Sequence, residues 1–350
     1  MQVTVGEQKD SKIRVNVEVD AAEYEDALVK GLPPFLAAMG LLVQPGQDNM
    51  EALRSLAGDE SDEKLSNMML DCAVSYLMPR AVEQSGLFPA CNPAIIGSER
   101  KEDGGISFGI EINPKPELEL SDYGSITIKA SKEEVTEKEI DERINAMAMR
   151  GAVTQPDIIT GKPKKVPAII DDKWVAHNVP GCNTVAQLRE SLRAAGEKFK
   201  AEQFEATKQK LALAELMKRA QGEIPEETIE AVTDSMIGEL SNQLAQQGLT
   251  LQDFFVQRKV TLEQMRSDAR KQAENNLRQG AVLDAWFKHE GLELQDGDIE
   301  AALSSIAPGV EEQARKSFES NGFMFTVTET AQRLRATASI MEHVVVEPAE

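Results

Sequence analysis

Aromatic side chains are scarce in this sequence. They make up 5% of 350 residues, with two Trp and three Tyr, so rigid aromatic packing is not what the chain relies on. Positive charge is in deficit too. Thirty-eight Lys and Arg face 59 Asp and Glu, a formal −21, which argues against a general nucleic-acid binder, whose backbone contacts need clustered Lys and Arg. Cysteines number three, at Cys72, Cys91 and Cys182. An odd count without a Cys-x-x-Cys spacing reads as structural thiols in a reducing compartment. No run approaches the ~20 apolar residues of a membrane span, and the opening "MQVTVGEQKDSKIRVNVEV" has no apolar h-region. The expectation is a soluble, cytoplasmic protein with no membrane partner. What the chain does have is length for two domains or three small ones. It also has 41% apolar residues and thirteen Met, which give adaptable, helix-built apolar surface.

Periodicity divides the chain. Ile13, Val15, Val17 and Val19 alternate with polar residues, as in a half-buried strand. Asp20 to Glu23 is a capping-box variant opening a helix toward Ala38. A helix over Met50–Leu56 stops at Gly58, and another runs from Ser61 to Gly86. Strands are expected at "AIIGSE" and "GGISFGIEI", joined through Gly104-Gly105. "NPKPELE" is an extended boundary, followed by the strand "SITIKA" and a helix capped by Thr136 and Glu139. "TQPDIITGKPKKVP" reads as a solvated linker. From Thr184 onward almost everything is helical. One long helix runs to Gln221, and the next follows Pro225 with Gly248 at its C′ position. A short helix opens at Thr250 and a capped one runs from Thr261 to His289. Three more cover Asp298–Ile306, Val310–Ser320 and Val327–Glu342.

Motifs for chemistry are missing. No nucleotide-binding glycine loop follows a strand, and there is no H-E-x-x-H and no G-x-S-x-G. His177, His289 and His343 lie scattered, without the carboxylates of a zinc site. No catalytic residue, cofactor or metal ligand is therefore named. What remains is surface. Mobile apolar side chains can hold extended chains of many sequences. The candidates are Leu41, Leu42, Met236, Leu240, Phe254, Phe255, Met265 and Met341, although Met236, Phe255, Met265 and Met341, each taken singly, read first as inter-helix core.

The order of these elements resembles the trigger factors, the ribosome-associated bacterial chaperones. The resemblance rests on "MQVTVGEQKDSKIRVNVEVDAAEYEDAL", on "PELEL" followed by "ITIKASKEEVTEKEIDERI", on "IIDDKWV…GCNTVAQLRESLR", and on "IPEETIEAVTDSMIGEL". It implies an α+β fold. Residues 1–118 would be an N-terminal domain of antiparallel sheet and helices. Residues 119–165 would be a linker with a short strand and helix, and residues 166–350 a mainly helical substrate-binding domain with arm-like helices. The implied partners are unfolded or nascent polypeptides and the ribosome.

Two departures qualify that. The family's ribosome-docking loop carries a Gly-Phe-Arg-x-Gly-Lys motif, which falls here on Gln44, Pro45, Gly46, Gln47, Asp48 and Asn49. No Lys or Arg occurs between Lys30 and Arg54, so the tip is expected to be repelled by RNA and the docking role is not carried over. The family's FKBP-type prolyl isomerase domain needs ~100 residues, but about thirty separate Val153 from Val185, with Trp174 their sole aromatic. The first reading is an ATP-independent chaperone without isomerase activity. The alternative is an interaction or assembly protein on the same scaffold, serving one partner or pairing with itself as a homodimer.

Overall fold

Apolar alternation along residues 12–19 and 106–112 places both stretches in one antiparallel sheet of the computed structural model, which describes residues 1–9, 11–41, 48–58, 62–156 and 163–349. Strand β1 (Gln2–Lys9) pairs with β2 (Lys12–Val19). Helix α1 (Ala21–Ala38) opens at Asp20, whose carboxylate accepts the Glu23 N–H at 2.9 Å. Helix α2 (Asn49–Ala57) starts where Asp48 accepts the Met50 N–H at 2.8 Å, and it stops at Gly58, whose φ of +72° suits glycine. Helix α3 (Asp62–Ser85), β3 (Ala94–Arg100) and β4 (Ile106–Ile112) follow, giving the strand order β1-β2-β4-β3. Val15, Val17, Val19, Ile106, Phe108, Ile110 and Ile112 bury one face of this sheet against Tyr24, Ala27, Ala73 and Val74 of α1 and α3. Gly31 lets those helices close. A Cβ there would lie 3.0 Å from Tyr76 Cβ and 3.1 Å from the Cys72 carbonyl.

The middle of the chain holds β5 (Glu119–Leu120), β6 (Ile126–Lys129), α4 (Glu137–Arg150), β7 (Val153–Pro156), β8 (Pro163–Val166), α5 (Asp172–Asn178) and α6 (Val185–Arg219). The stretch expected to be a linker is not featureless, because its ends pair as an antiparallel ladder from Val153↔Val166 to Pro156↔Pro163. Val153 and Val166 pair at one end of that ladder, and Pro156 and Pro163 at the other. Then come β9 (Ala220–Gln221), α7 (Glu226–Gln246), α8 (Leu251–Arg258), α9 (Leu262–His289), α10 (Asp298–Ile306), α11 (Glu311–Asn321), α12 (Met324–Glu342) and β10 (Val344–Glu347). The last helix begins three residues earlier than its apolar spacing predicts.

Packing divides the chain into two units, neither of them a single stretch. One comprises residues 1–123 and 217–340, and the other residues 124–216 and 341–350. This differs from three consecutive segments, since α6 and the end of α12 each carry the chain from one unit to the other. In the first unit, β5 pairs with β9. Trp286 is fully buried, and its indole N–H donates to Ser339 Oγ at 3.2 Å. In the second, Val175, Cys182 and Leu188 form a core with Ile144, Met147, Trp174 and Leu192 around them. There β6 and β10 pair in parallel. The Thr136 capping box closes as expected, Glu139 N–H donating to Thr136 Oγ1 at 3.3 Å and Thr136 N–H to Glu139 Oε2 at 2.8 Å.

Candidate polypeptide-binding surface

Helices α7, α8 and α9 form a hairpin whose core runs out toward its tip. The ion pairs set the direction. Glu226 meets Arg270 at 2.5 Å, Glu230 meets Arg266 at 2.5 Å, and Asp234 meets Arg266 at 2.7 Å. One partner climbs as the other descends, so α7 and α9 are antiparallel. At the base, Ile224, Ile229, Val232, Ala273 and Leu277 are buried together, with Ala90, Cys91 and Met236 packed on them. Further out, Leu240 is half-buried and Leu244 buried. Gly248, at φ +72°, then turns the chain into α8.

No residue of α8 is buried, although it presents Leu251, Phe254, Phe255 and Val256. Its fold comes from its ends. Thr250 and Asp253 form a capping box, and Lys259 closes the helix in a left-handed conformation at φ +56°. Phe254 and Phe255 touch edge to face, 6.3 Å between centroids, and remain half-buried. Val256 is 69% exposed, as is Leu262 to 59% at the start of α9, and Met265 one turn on is half-buried. Burying a side chain of this kind is worth about 1.5–3 kcal/mol. The tip leaves much of that unrealised, and a partner's apolar surface can supply it.

Five of the eight candidates, Met236, Leu240, Phe254, Phe255 and Met265, therefore share one hairpin, and none is fully buried. The rest do not join them. Leu41, after α1, is 37% exposed. Met341 is half-buried and belongs to the other unit. Leu42, with Gln44, Pro45, Gly46 and Gln47 of the docking-loop stretch, lies outside the described residues. Of that stretch, Asp48 and Asn49 serve as the N-cap and first residue of α2. Sequence reasoning missed Val256 and Leu262, the most exposed apolar residues of the hairpin. A run "FFV" with no polar break was the available signal.

The first unit also contains a cavity of about 1010 Å³, walled by Phe88, Pro116, Leu118, Tyr123 and Phe287. A partly buried charge cluster lies on it. Arg333 forks onto Asp284 at 3.0 and 2.8 Å and reaches Glu329 at 2.6 Å, while Lys115 Nζ contacts Glu329. Burial, with Arg333's charge, pushes the Lys115 ammonium down to about 7, and Asp284 draws it back. These ion pairs fasten residue 115 to α12. Burial likewise pushes the Cys72 thiol up to about 12. No set of three or more His, Cys, Asp or Glu among the described residues is placed to hold a metal ion, and no helix among them is long and apolar enough to cross a membrane.

Residues 184–342 match the family model described as the bacterial trigger factor protein C-terminus, and residues 50–147 match the model described as bacterial trigger factor protein. The two matches, 159 and 98 residues long, together cover 257 of the chain's 350 residues. This chain belongs to the trigger factor family. The trigger factor of Desulforudis audaxviator is 21% identical over 384 aligned positions, which take in 85% of this chain and 86% of that one. That of Bacillus pumilus is 21% identical over 395 positions, with 88% and 91% covered. That of Pelotomaculum thermopropionicum reaches 28% over 185 positions, covering 52% and 42%. Since 85% of 350 is about 298 residues, roughly 86 of the 384 positions shared with the first relative have no counterpart here. No prolyl isomerase domain family is detected. A solved structure titled for promiscuous substrate recognition by the trigger factor chaperone aligns over 98% of this chain and 99% of its own, at 15% identity. Its TM-score is 0.40, and a likeness at that level says nothing further about this fold.

Proposed function

We propose that this trigger factor is an ATP-independent chaperone that holds unfolded or nascent polypeptides on partly exposed apolar side chains, with the α7–α8–α9 hairpin as its main grip. The observation that carries the reading is α8 itself, a capped helix bearing Phe254, Phe255 and Val256 with no residue buried. Family membership supports a chaperone role. Contacts of this kind are sequence-tolerant, weak and reversible, because side-chain rotamers adapt and no polar geometry has to be matched. The direct test is aggregation of a chemically denatured client diluted into buffer without nucleotide. Equimolar protein should suppress it, and no suppression would refute the reading.

The protein works without prolyl isomerase chemistry on this proposal. Among the described residues, the part of the chain where that domain is expected contributes the β7–β8 ladder and α5, too little to enclose a proline pocket. Catalysis of a proline-limited refolding reaction would contradict this. Docking on the ribosome is also disfavoured. Residues 1–123 carry 22 acidic and 10 basic side chains, a net −12, with no Lys or Arg between Lys30 and Arg54. The protein should stay in the supernatant when ribosomes are pelleted at moderate salt.

A second reading has its own observation. Met39 is 56% exposed and Leu41 37%, side by side after α1, which suits a dedicated protein contact or self-association. One stoichiometric partner in a pull-down, or a stable dimer in sedimentation, would favour it over the chaperone reading.

A further inference from the structure

In the second unit, β10 presents an open strand edge. The parallel ladder pairs Val344↔Ile126, Val345↔Thr127, Val346↔Ile128 and Glu347↔Lys129. Two bonds fix its phase: Ile126 N–H donates to the His343 carbonyl at 2.9 Å, and Ala130 N–H to the Glu347 carbonyl at 3.0 Å. In a parallel ladder alternate residues face one neighbour. Residues 343, 345 and 347 therefore turn their backbone groups toward β6, while Val344 and Val346 turn theirs outward. The strand has only one partner among the described residues.

The edge is apolar and held in place. Ile126 and Ile128 are buried on the face that Val344 and Val346 share, yet Val346 is 39% exposed, because no further strand lies beside it. Val345 on the opposite face is 49% exposed. Beyond the ladder, the Ser131 hydroxyl receives the Ala349 N–H at 3.0 Å and donates to the Ala349 carbonyl at 3.4 Å. With helix α12 on one side and Ser131 on the other, the strand is extended before anything binds. Such an edge is a template for pairing with another chain.

We propose that β10 binds an extended segment of a client polypeptide by strand addition, with the main chain of Val344 and Val346 as the donor and acceptor groups. This inference rests on the chaperone reading and adds a second grip of a different kind, in which backbone hydrogen bonds supply affinity without regard to side-chain identity. Charge selects the occupant. After Arg335 the sequence holds Glu342, Glu347 and Glu350 and no Lys or Arg, so a second copy would set one acidic edge against another, whereas a client strand with Lys or Arg beside its β-branched residues meets Glu347 favourably.

The test uses the whole protein and a fluorescent twelve-residue peptide of alternating Val and Thr flanked by Lys, followed by anisotropy. Val346→Pro removes an outward N–H and spares the bonds to β6. It should weaken binding at least tenfold with an unchanged circular dichroism spectrum, while Val346→Thr stays within twofold. Independently of any folding effect, a peptide N-methylated on alternate residues keeps one free edge and should bind the wild-type protein, whereas one N-methylated at every residue should not. Equal binding of the alternately and the fully methylated peptides, or unchanged binding to folded Val346→Pro, would overturn the proposal. So would a dimer that Val346→Pro dissociates and the peptide does not. Aggregation suppression is scored separately: if it persists while these peptide results fail, the β10 grip falls and the chaperone reading stands.

Discussion

Lys259 stands in a conformation that costs an L-residue energy. It caps α8 at φ +56° and ψ +40°, and its N–H donates to the Phe255 carbonyl. Lys259→Gly removes the left-handed penalty and loses some unfolded-state advantage, for a net gain of about 0.5–1 kcal/mol in the local stability of the tip. Slower hydrogen exchange at α8 amides should reveal it. Glu139 predicts a pH effect. The Lys200 ammonium, and then the Thr136 N–H, hold its carboxyl down to about 2 from an ordinary 4.5. Its folded-state value is depressed, so its contribution is present above pH 4.5 and lost as pH falls toward 2. Melting temperatures of wild type and Glu139→Gln should differ at neutral pH and converge near pH 2. Cysteine reactivity offers a third check. Desolvation raises both Cys72 and Cys91, the latter despite a donated hydrogen bond from Asn113 and the nearby Lys12 charge. Alkylation at pH 8 should be slow at both in the folded protein and fast after denaturation.

Elements whose cause is local were readable in sequence. The boundaries of α4, α8 and α9 follow from Thr136, Thr250 and Thr261, each capping the residue three places on, and β2 and β4 follow from their alternation. Pairings between distant segments left no such trace. β5 with β9 involves two residues on each side, and β6 with β10 joins residues 218 apart (Ile126 and Val344). "VVVE" has strand propensity but no partner nearby in the chain, and so the grip proposed for β10 was invisible. The α7–α8–α9 hairpin was half legible. Its apolar residues could be named, but exposure depends on what fails to lie opposite them, and periodicity carries no information about that. At this scale, Gly31→Ala should destabilise the first unit by about 1–3 kcal/mol through overpacking of α1 on α3, measurable by urea denaturation.

Across the molecule, acidity and apolar exposure are distributed unevenly. The first unit carries 42 acidic and 23 basic residues, the second 17 and 15, so −19 of the −21 lies with the sheet, its helices and the hairpin. That charge opposes self-association of a molecule with exposed Phe and Val and, on the proposed function, leaves short-range apolar contact as the attraction toward clients. The central claim is that the hairpin tip supplies this contact. Its sharpest test compares wild type with the triple variant Phe254→Ser, Phe255→Ser, Val256→Ser in suppressing aggregation of a denatured client. Because no α8 residue is buried, the variant should keep its fold and melting temperature but need at least ~10-fold more protein for the same suppression, a factor equivalent to about 1.4 kcal/mol. Equal suppression by the two proteins would contradict the account.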